Sequence, residues 1–171
     1  LGRKIAIHSY GASGARDAIR AGADSIEHAV DLDDATLQEM VRRRIYYVPT
    51  IDHNRYYIEN AAGFGYSQAA VERMKSFLAR NIQTTRRAHQ LGVRIAMGSD
   101  AVMTMCGQNT RELAWFVQAG MTPLAALATA TTQAAALLGK EKLLGSVAPG
   151  YLADIVAVEG DPLTDIRSVI Y

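Results

Sequence analysis

Three residues in this sequence stand where metal chemistry would need them: His8, His28 and Asp100. Each closes a short apolar run that reads as a β-strand: KIAIH at Lys4 to His8, SIEH at Ser25 to His28, and IAMGSD at Ile95 to Asp100. A stretch with helical character follows each run. In a parallel α/β barrel, successive strand ends converge on one mouth, where active sites form. Two imidazoles and a carboxylate gathered there suit a borderline cation such as Zn²⁺. A bound metal lowers the pKa of its water toward ~7, which yields hydroxide at neutral pH. A carboxylate touching both metal and water can take the proton and pass it to a leaving group. Asp100 fits that double role; His8 and His28 can serve only as ligands or electrophilic helpers.

Each residue alone has an ordinary reading. A strand-end histidine is commonly structural, and an aspartate before a helix is commonly a cap. The combination favours a metal, because all three stand at C-terminal strand ends. Three ligands are enough for one catalytic ion and too few for two. The sequence contains no His-x-His.

The elements that must position these residues can be read from pattern. Lys4 to His8 is the first strand, and a helix runs from about Ala15 to Ala21, with Gly22 as its cap. Asp24 to His28 is the second strand, followed by a helix to about Arg43 that an aspartate among Asp31, Asp33 and Asp34 can cap. Ile45 to Ile51 is the third strand, and Asp52 to Tyr66 reads as a long polar and aromatic loop. Ser67 caps a helix from Gln68 to Gln90. Val93 to Met97 is the fourth strand, and Ala101 to Gln108 is a Met- and Gly-rich loop. A helix from Asn109 or Thr110 reaches Ala119, and an alanine-rich helix starting at Thr122-Pro123 runs to about Leu138. Ala153 to Val158 reads as a clean strand, and Val169 to Tyr171 as the start of another.

Four strand–helix repeats with right-handed connections imply four adjacent parallel strands. That is an α/β fold and half of a (β/α)₈ barrel, which typically takes ~250 residues. The expected division is residues 1–140 as half-barrel and 141–171 as part of a small β-structure. A strand that starts within a few residues of Leu1, with no initiator methionine, is read as part of a longer protein. Proteolytic processing or a deliberately shortened chain are the alternatives.

Composition excludes several classes. The chain has 171 residues, is 49% apolar and carries a net charge of +1, so it is globular and has no global pull toward nucleic acid or anionic membrane. One cysteine, Cys106, cannot form an internal disulfide. No apolar run is long enough to span a bilayer. No signal peptide is found in this stretch, and a cytoplasmic location is expected.

The segments HSYGASGARDAIRAGADSIEH, IAMGSDA, GQNTRELAWFVQAGMTPLAALATATTQAAALLG and GSVAPGYLADIVAVEGDPLTDI, in this order, resemble the amidohydrolase superfamily of metal-dependent hydrolases. The nearest branch looks like that of Xaa-Pro dipeptidases (prolidase-like), Lys/Arg carboxypeptidases and imidazolonepropionase-like proteins. The resemblance implies that His8 and His28 are the metal-binding histidines of barrel strands five and six. It makes Asp100 the metal ligand and general base after strand eight. The fold implied is the C-terminal half of the barrel, with a tail that forms part of a β-sandwich. The family's strand-one His-x-His and its carboxylated lysine would lie upstream of Leu1. The cofactor implied is a divalent metal, Zn²⁺ first, as one or two ions.

Substrate contacts are expected from Tyr10, two residues after His8, and from Asn109, heading a helix at the mouth where N–H groups favour anions. His53 and Arg55 could line the pocket from the long loop. Arg111 is read as solvated or paired with Glu112. Cys106 reads as a small apolar filler, and a cysteine hydrolase is disfavoured because no cation neighbours it.

The activity expected is hydrolysis of a C–N bond in a dipeptide or N-acyl amino acid by metal-bound hydroxide, with Asp100 as base. Cyclic-amide opening or deamination by the same machinery is the alternative. A non-catalytic half-barrel that binds metal weakly and self-associates is the reading from a different class. The partners expected are a small amide or dipeptide and, as a homo-oligomer, further copies of the chain.

Overall fold

The computed structural model describes residues 2–170. Four parallel strands, β1 (Ala6–His8), β2 (Ser25–Glu27), β3 (Tyr46–Val48) and β4 (Arg94–Ile95), lie side by side in sequence order. Ala6 pairs with Ser25, Ser25 with Tyr46, and Tyr46 with Arg94. Strand alternation divides the residues between two faces. Ile7, Ile26, Tyr47 and Ile95 pack in the main core, against helix residues such as Ile19, Leu37, Met40, Leu113 and Phe116. Ala6, His8, Ser25, Glu27, Tyr46 and Val48 share the opposite face. On that face Tyr46, Val48 and Ala96 make a second cluster.

Helices α1 (Ala12–Ala21) and α2 (Asp34–Arg43) follow β1 and β2. Their amphipathic stripes seat Ala15, Ala18 and Ile19, and Thr36, Leu37 and Met40, in the interior. The Asp33 carboxylate caps α2 by accepting from the Thr36 N–H. Helix α3 (Ile51–Glu59) and the long α4 (Gln68–Gln90) follow β3; α5 (Glu112–Gln118), α6 (Pro123–Ala130) and α7 (Thr132–Leu137) follow β4. No helix among the described residues is long and apolar enough to cross a membrane.

Several expectations need correction. The stretch expected as a loop from Asp52 to Tyr66 is helical through Glu59, and only its remainder is turn. Its start is held by bonds from a distant element, described below. The alanine-rich helix is two helices, broken at Thr131 (φ −122°, ψ −95°). There the Thr129 carbonyl accepts from the Met97 N–H at 3.0 Å, a tie between helix and sheet. Ala153 to Val158 forms no ladder among the described residues, and Ile155 and Val156 are exposed. A strand needs a neighbour for its N–H and C=O groups, and none of the described residues supplies it. Of Val169 to Tyr171, Val169 ends a 3₁₀ turn (Ile166–Val169), and Tyr171 lies outside the described residues. Ile166 from this turn enters the main core.

Candidate active site

His8 ends β1 on the face away from the main core. Alternation alone would send His28, which follows Glu27, to the other side. His28 instead has φ +71°, a left-handed conformation that redirects the side chain. Its ring lies 4.7 Å from that of His8, edge on. Tyr10 completes the group, 4.8 Å from His8 and stacked on His28 at 5.2 Å. The two histidines read from strand ends are therefore neighbours, and the tyrosine singled out beside them covers their rings.

The tautomer of His28 follows from its partner. Thr50, at the end of β3, has one hydroxyl proton, and the Pro49 carbonyl stands 2.8 Å away to accept it. With that proton committed, Thr50 Oγ1 accepts from His28 Nδ1–H at 2.6 Å. Nε2 of His28 keeps its lone pair, the form a metal ligand needs. Burial lowers the His28 pKa; the Asp100 charge opposes this, and His8 and His53 reinforce it.

Asp100 also has left-handed backbone, φ +45°. His53, on the first turn of α3, donates from Nδ1 to the Asp100 carbonyl oxygen at 2.7 Å and lies 3.2 Å from Oδ2. The Asp100 charge is felt across the mouth. It raises the pKa of Tyr10 second to burial, with Tyr57 third. It also contributes to the raised pKa of Glu27, which burial dominates and the Ser25 hydroxyl opposes. Among the described residues no three His, Cys, Asp or Glu side chains stand close enough to hold one ion. The expected three-residue set is thus seen as a His8–His28 pair and a separate His53–Asp100 pair. The donor chemistry of the histidine pair fits a metal. The carboxylate is in electrostatic reach, but its main chain is engaged by His53.

The remaining candidates divide. Tyr57 packs 5.0 Å from His53, with Phe64 and Tyr66 behind it, so an aromatic wall borders the His53–Asp100 pair. Asn109 is exposed in a 3₁₀ turn (Asn109–Arg111) rather than at the cap of a full helix, because α5 starts only at Glu112. Arg55 turns from the pocket to pair with Asp52 and Glu59. Arg111 stands 4.0 Å from Asp52, not paired with Glu112. Cys106 is exposed, not filler.

Three further polar residues, none of them a site candidate from sequence, hold these elements together. Thr50 was hidden because its partner lies on another strand. Asp52, 2% exposed, accepts from Arg55 and from Trp115 Nε1. Glu112 is fully buried and accepts from the main-chain N–H groups of Ile51 and Asp52. The available signal was its place beside Leu113 and one turn before Phe116, on the buried stripe of α5.

The model of the Amidohydrolase family matches residues 1–170. The chain belongs to that family. Among solved structures, this amidohydrolase chain is similar to a Xaa-Pro dipeptidase with methionine bound in the active site. The TM-score is 0.88 with 36% identity, over 98% of this chain and 41% of that one. A prolidase complexed with N-methylphosphonate-L-proline gives a TM-score of 0.89 with 28% identity, over 98% and 41%. Ochratoxinase of Aspergillus niger is 31% identical over 167 residues, 96% of this chain and 34% of that protein. Its crystal structure superposes with a TM-score of 0.84, over 96% of this chain and 38% of that one. The amidohydrolase chain therefore spans 34% to 41% of the length of these relatives.

Proposed function

We propose that this chain forms the histidine-pair side of a metal-dependent hydrolase that cleaves amide bonds, with a dipeptide or an N-acyl amino acid as substrate. The observation that carries the reading is the His8–His28 ring pair, with His28 Nε2 left free by the bond from Nδ1–H to Thr50. His8 and His28 would hold the ion, zinc being the first expectation, and Asp100 would complete its shell. A bound divalent cation supplies Lewis acidity and acidifies water at that position. Asp100 is the base that takes a proton and returns it to the leaving nitrogen. Tyr10, with its phenol pKa raised, stays protonated and donates to a substrate oxygen. His53 orients Asp100. The relatives that support the amide class are the dipeptidase, the prolidase and the ochratoxinase.

The four parallel strands are read as strands five to eight of an eight-stranded barrel. Residues 141–171 are read as part of a β-sandwich. The rest of both would come from chain outside this sequence. Because no three candidate ligands cluster among the described residues, residues 1–171 alone should bind metal weakly and turn nothing over.

The test is metal analysis and an amidase panel on the full-length protein beside Asp100→Asn. The expected result is bound metal in the wild type and a folded variant that loses nearly all turnover. A variant that retains its turnover removes Asp100 from this role.

A further inference from the structure

Glu112 is fully buried at the start of α5, and its carboxyl oxygens accept N–H bonds from Ile51 at 2.7 Å and Asp52 at 2.8 Å. Those are the first two residues of α3, some 60 positions away in sequence. The first N–H groups of a helix have no partner inside it. The residue preceding α3, Thr50, makes no side-chain cap bond of its own. Its hydroxyl is committed to Pro49 and His28. Glu112 therefore provides from another helix the cap that the local chain lacks. One turn along α5, Trp115 Nε1 donates to Asp52 Oδ1 at 2.8 Å, a third tie to the same segment.

The clamped residues sit between two contacts of the candidate site. Thr50, one residue before, accepts from His28. His53, one residue after, donates to the Asp100 carbonyl. Thr50 stands at φ +51°, a conformation an L side chain adopts only where its surroundings hold it. We infer that Glu112 is a positioning residue: by gripping the Ile51 and Asp52 N–H groups it sets Thr50 against His28 and His53 against Asp100. It touches neither the histidine pair nor Asp100 itself. Burying a carboxyl group costs free energy, and both of its oxygens are spent on the first N–H groups of α3.

The kinetic part of the test rests on the proposed amide hydrolysis; the spectroscopic part does not. In the metal-free full-length protein, ¹⁵N-resolved imidazole spectra report the tautomer of each histidine, with assignments from single histidine substitutions. Wild type is expected to show His28 and His53 each as the single Nδ1–H form. Glu112→Gln keeps the shape and one acceptor but leaves one N–H without its partner. In that variant both rings should move toward a mixture of tautomers, while His8 and His89 stay as they were. Turnover should fall about 10- to 100-fold with KM changed less than threefold, the pattern of a misplaced group rather than lost binding.

Unchanged His28 and His53 tautomers in a folded Glu112→Gln protein overturn the inference, whatever the activity. Should that variant not fold, amide exchange in the wild type decides. Ile51 and Asp52 must be protected to the level of the β2 and β3 amides, and exchange at the rate of exposed amides refutes the clamp. A wild type that hydrolyses no amide defeats the functional reading and leaves these two spectroscopic outcomes standing.

Discussion

His28 donates its Nδ1 proton to the Thr50 hydroxyl at 2.6 Å, and that bond decides which nitrogen of the ring is free. The same hydroxyl is 2.8 Å from the Pro49 carbonyl, so acceptor and donor roles are both fixed. Thr50→Val keeps the branched shape and removes the acceptor. The ring can then take either tautomer and rotate. Supporting bonds of this kind are worth ~10–100-fold in metal affinity. Equilibrium dialysis against Zn²⁺ should show a loss in that range, with Thr50→Ser close to wild type. Equal affinity in Thr50→Val and wild type would refute the orienting role.

What could be read in advance follows from range along the chain. That His8 and His28 are neighbours was legible because each ends an apolar run and the chain order of the strands is also their order in the sheet; Asp100 ends such a run too, yet stands against His53. Tyr10 was legible through its two-residue spacing from His8. Thr50 and Glu112 were not, because their bonds cross 22 and about 60 positions, and no local pattern records such partners. The start of α3 reads as loop for the same reason: its cap comes from α5. The tail strand was read from an alternation that is present in the residues. A ladder is a property of two segments, and only one is among those described.

That lone segment gives a prediction about behaviour in isolation. Val147, Leu152, Ile155 and Val156 are 84%, 59%, 64% and 74% exposed, a concentration of apolar side chains on one stretch of chain. Exposed apolar surface and unpaired main chain favour association. Residues 1–171 expressed alone should elute above monomer size in a concentration-dependent way. Val156→Lys should shift the elution toward monomer. A monomeric wild-type fragment at high concentration would show that this stretch is not sticky.

The break between α6 and α7 has its own test. A Cβ at Gly145 would lie 2.7 Å from the Thr131 carbonyl oxygen and 2.8 Å from its carbon, main-chain atoms that cannot swing aside. Its φ of +89° adds a penalty for any L side chain. Gly150 has nearly the same φ, +88°, with nothing within 4 Å. Gly150→Ala therefore measures the backbone cost, about 1–2 kcal/mol. Gly145→Ala adds overpacking of ~1–3 kcal/mol. Thermal melts should place Gly145→Ala several degrees below Gly150→Ala, at ~2–4 °C per kcal/mol for a chain of this size. Equal Tm values would mean the contact with Thr131 relaxes freely.

The pH dependence of stability should carry the mark of Glu112. Burial raises its pKa from 4.5 to about 8; the N–H bonds from Asp52 and Ile51 oppose this, and the nearby Asp52 charge adds to it. Asp52 itself stays ionised: burial raises its pKa, but Arg55, Trp115 and Arg111 more than offset that. Between pH 4.5 and about 8 the folded chain thus holds a proton on Glu112 that the unfolded chain has released. Stability falls with rising pH wherever the folded state binds more protons. The contribution of this group is fully present below pH 4.5 and is lost as pH climbs through about 8. Gln does not titrate, so other ionisations cancel in the difference between wild type and Glu112→Gln. The advantage of wild type in Tm should be largest near pH 5 and should narrow steadily toward pH 8. A difference that is flat across that range would place the Glu112 carboxyl in ordinary solvent-like surroundings, against its burial. A difference that widens would mean that the ionised form is the one the fold prefers, with the two main-chain N–H bonds and the start of α3 outweighing the cost of removing the charge from water.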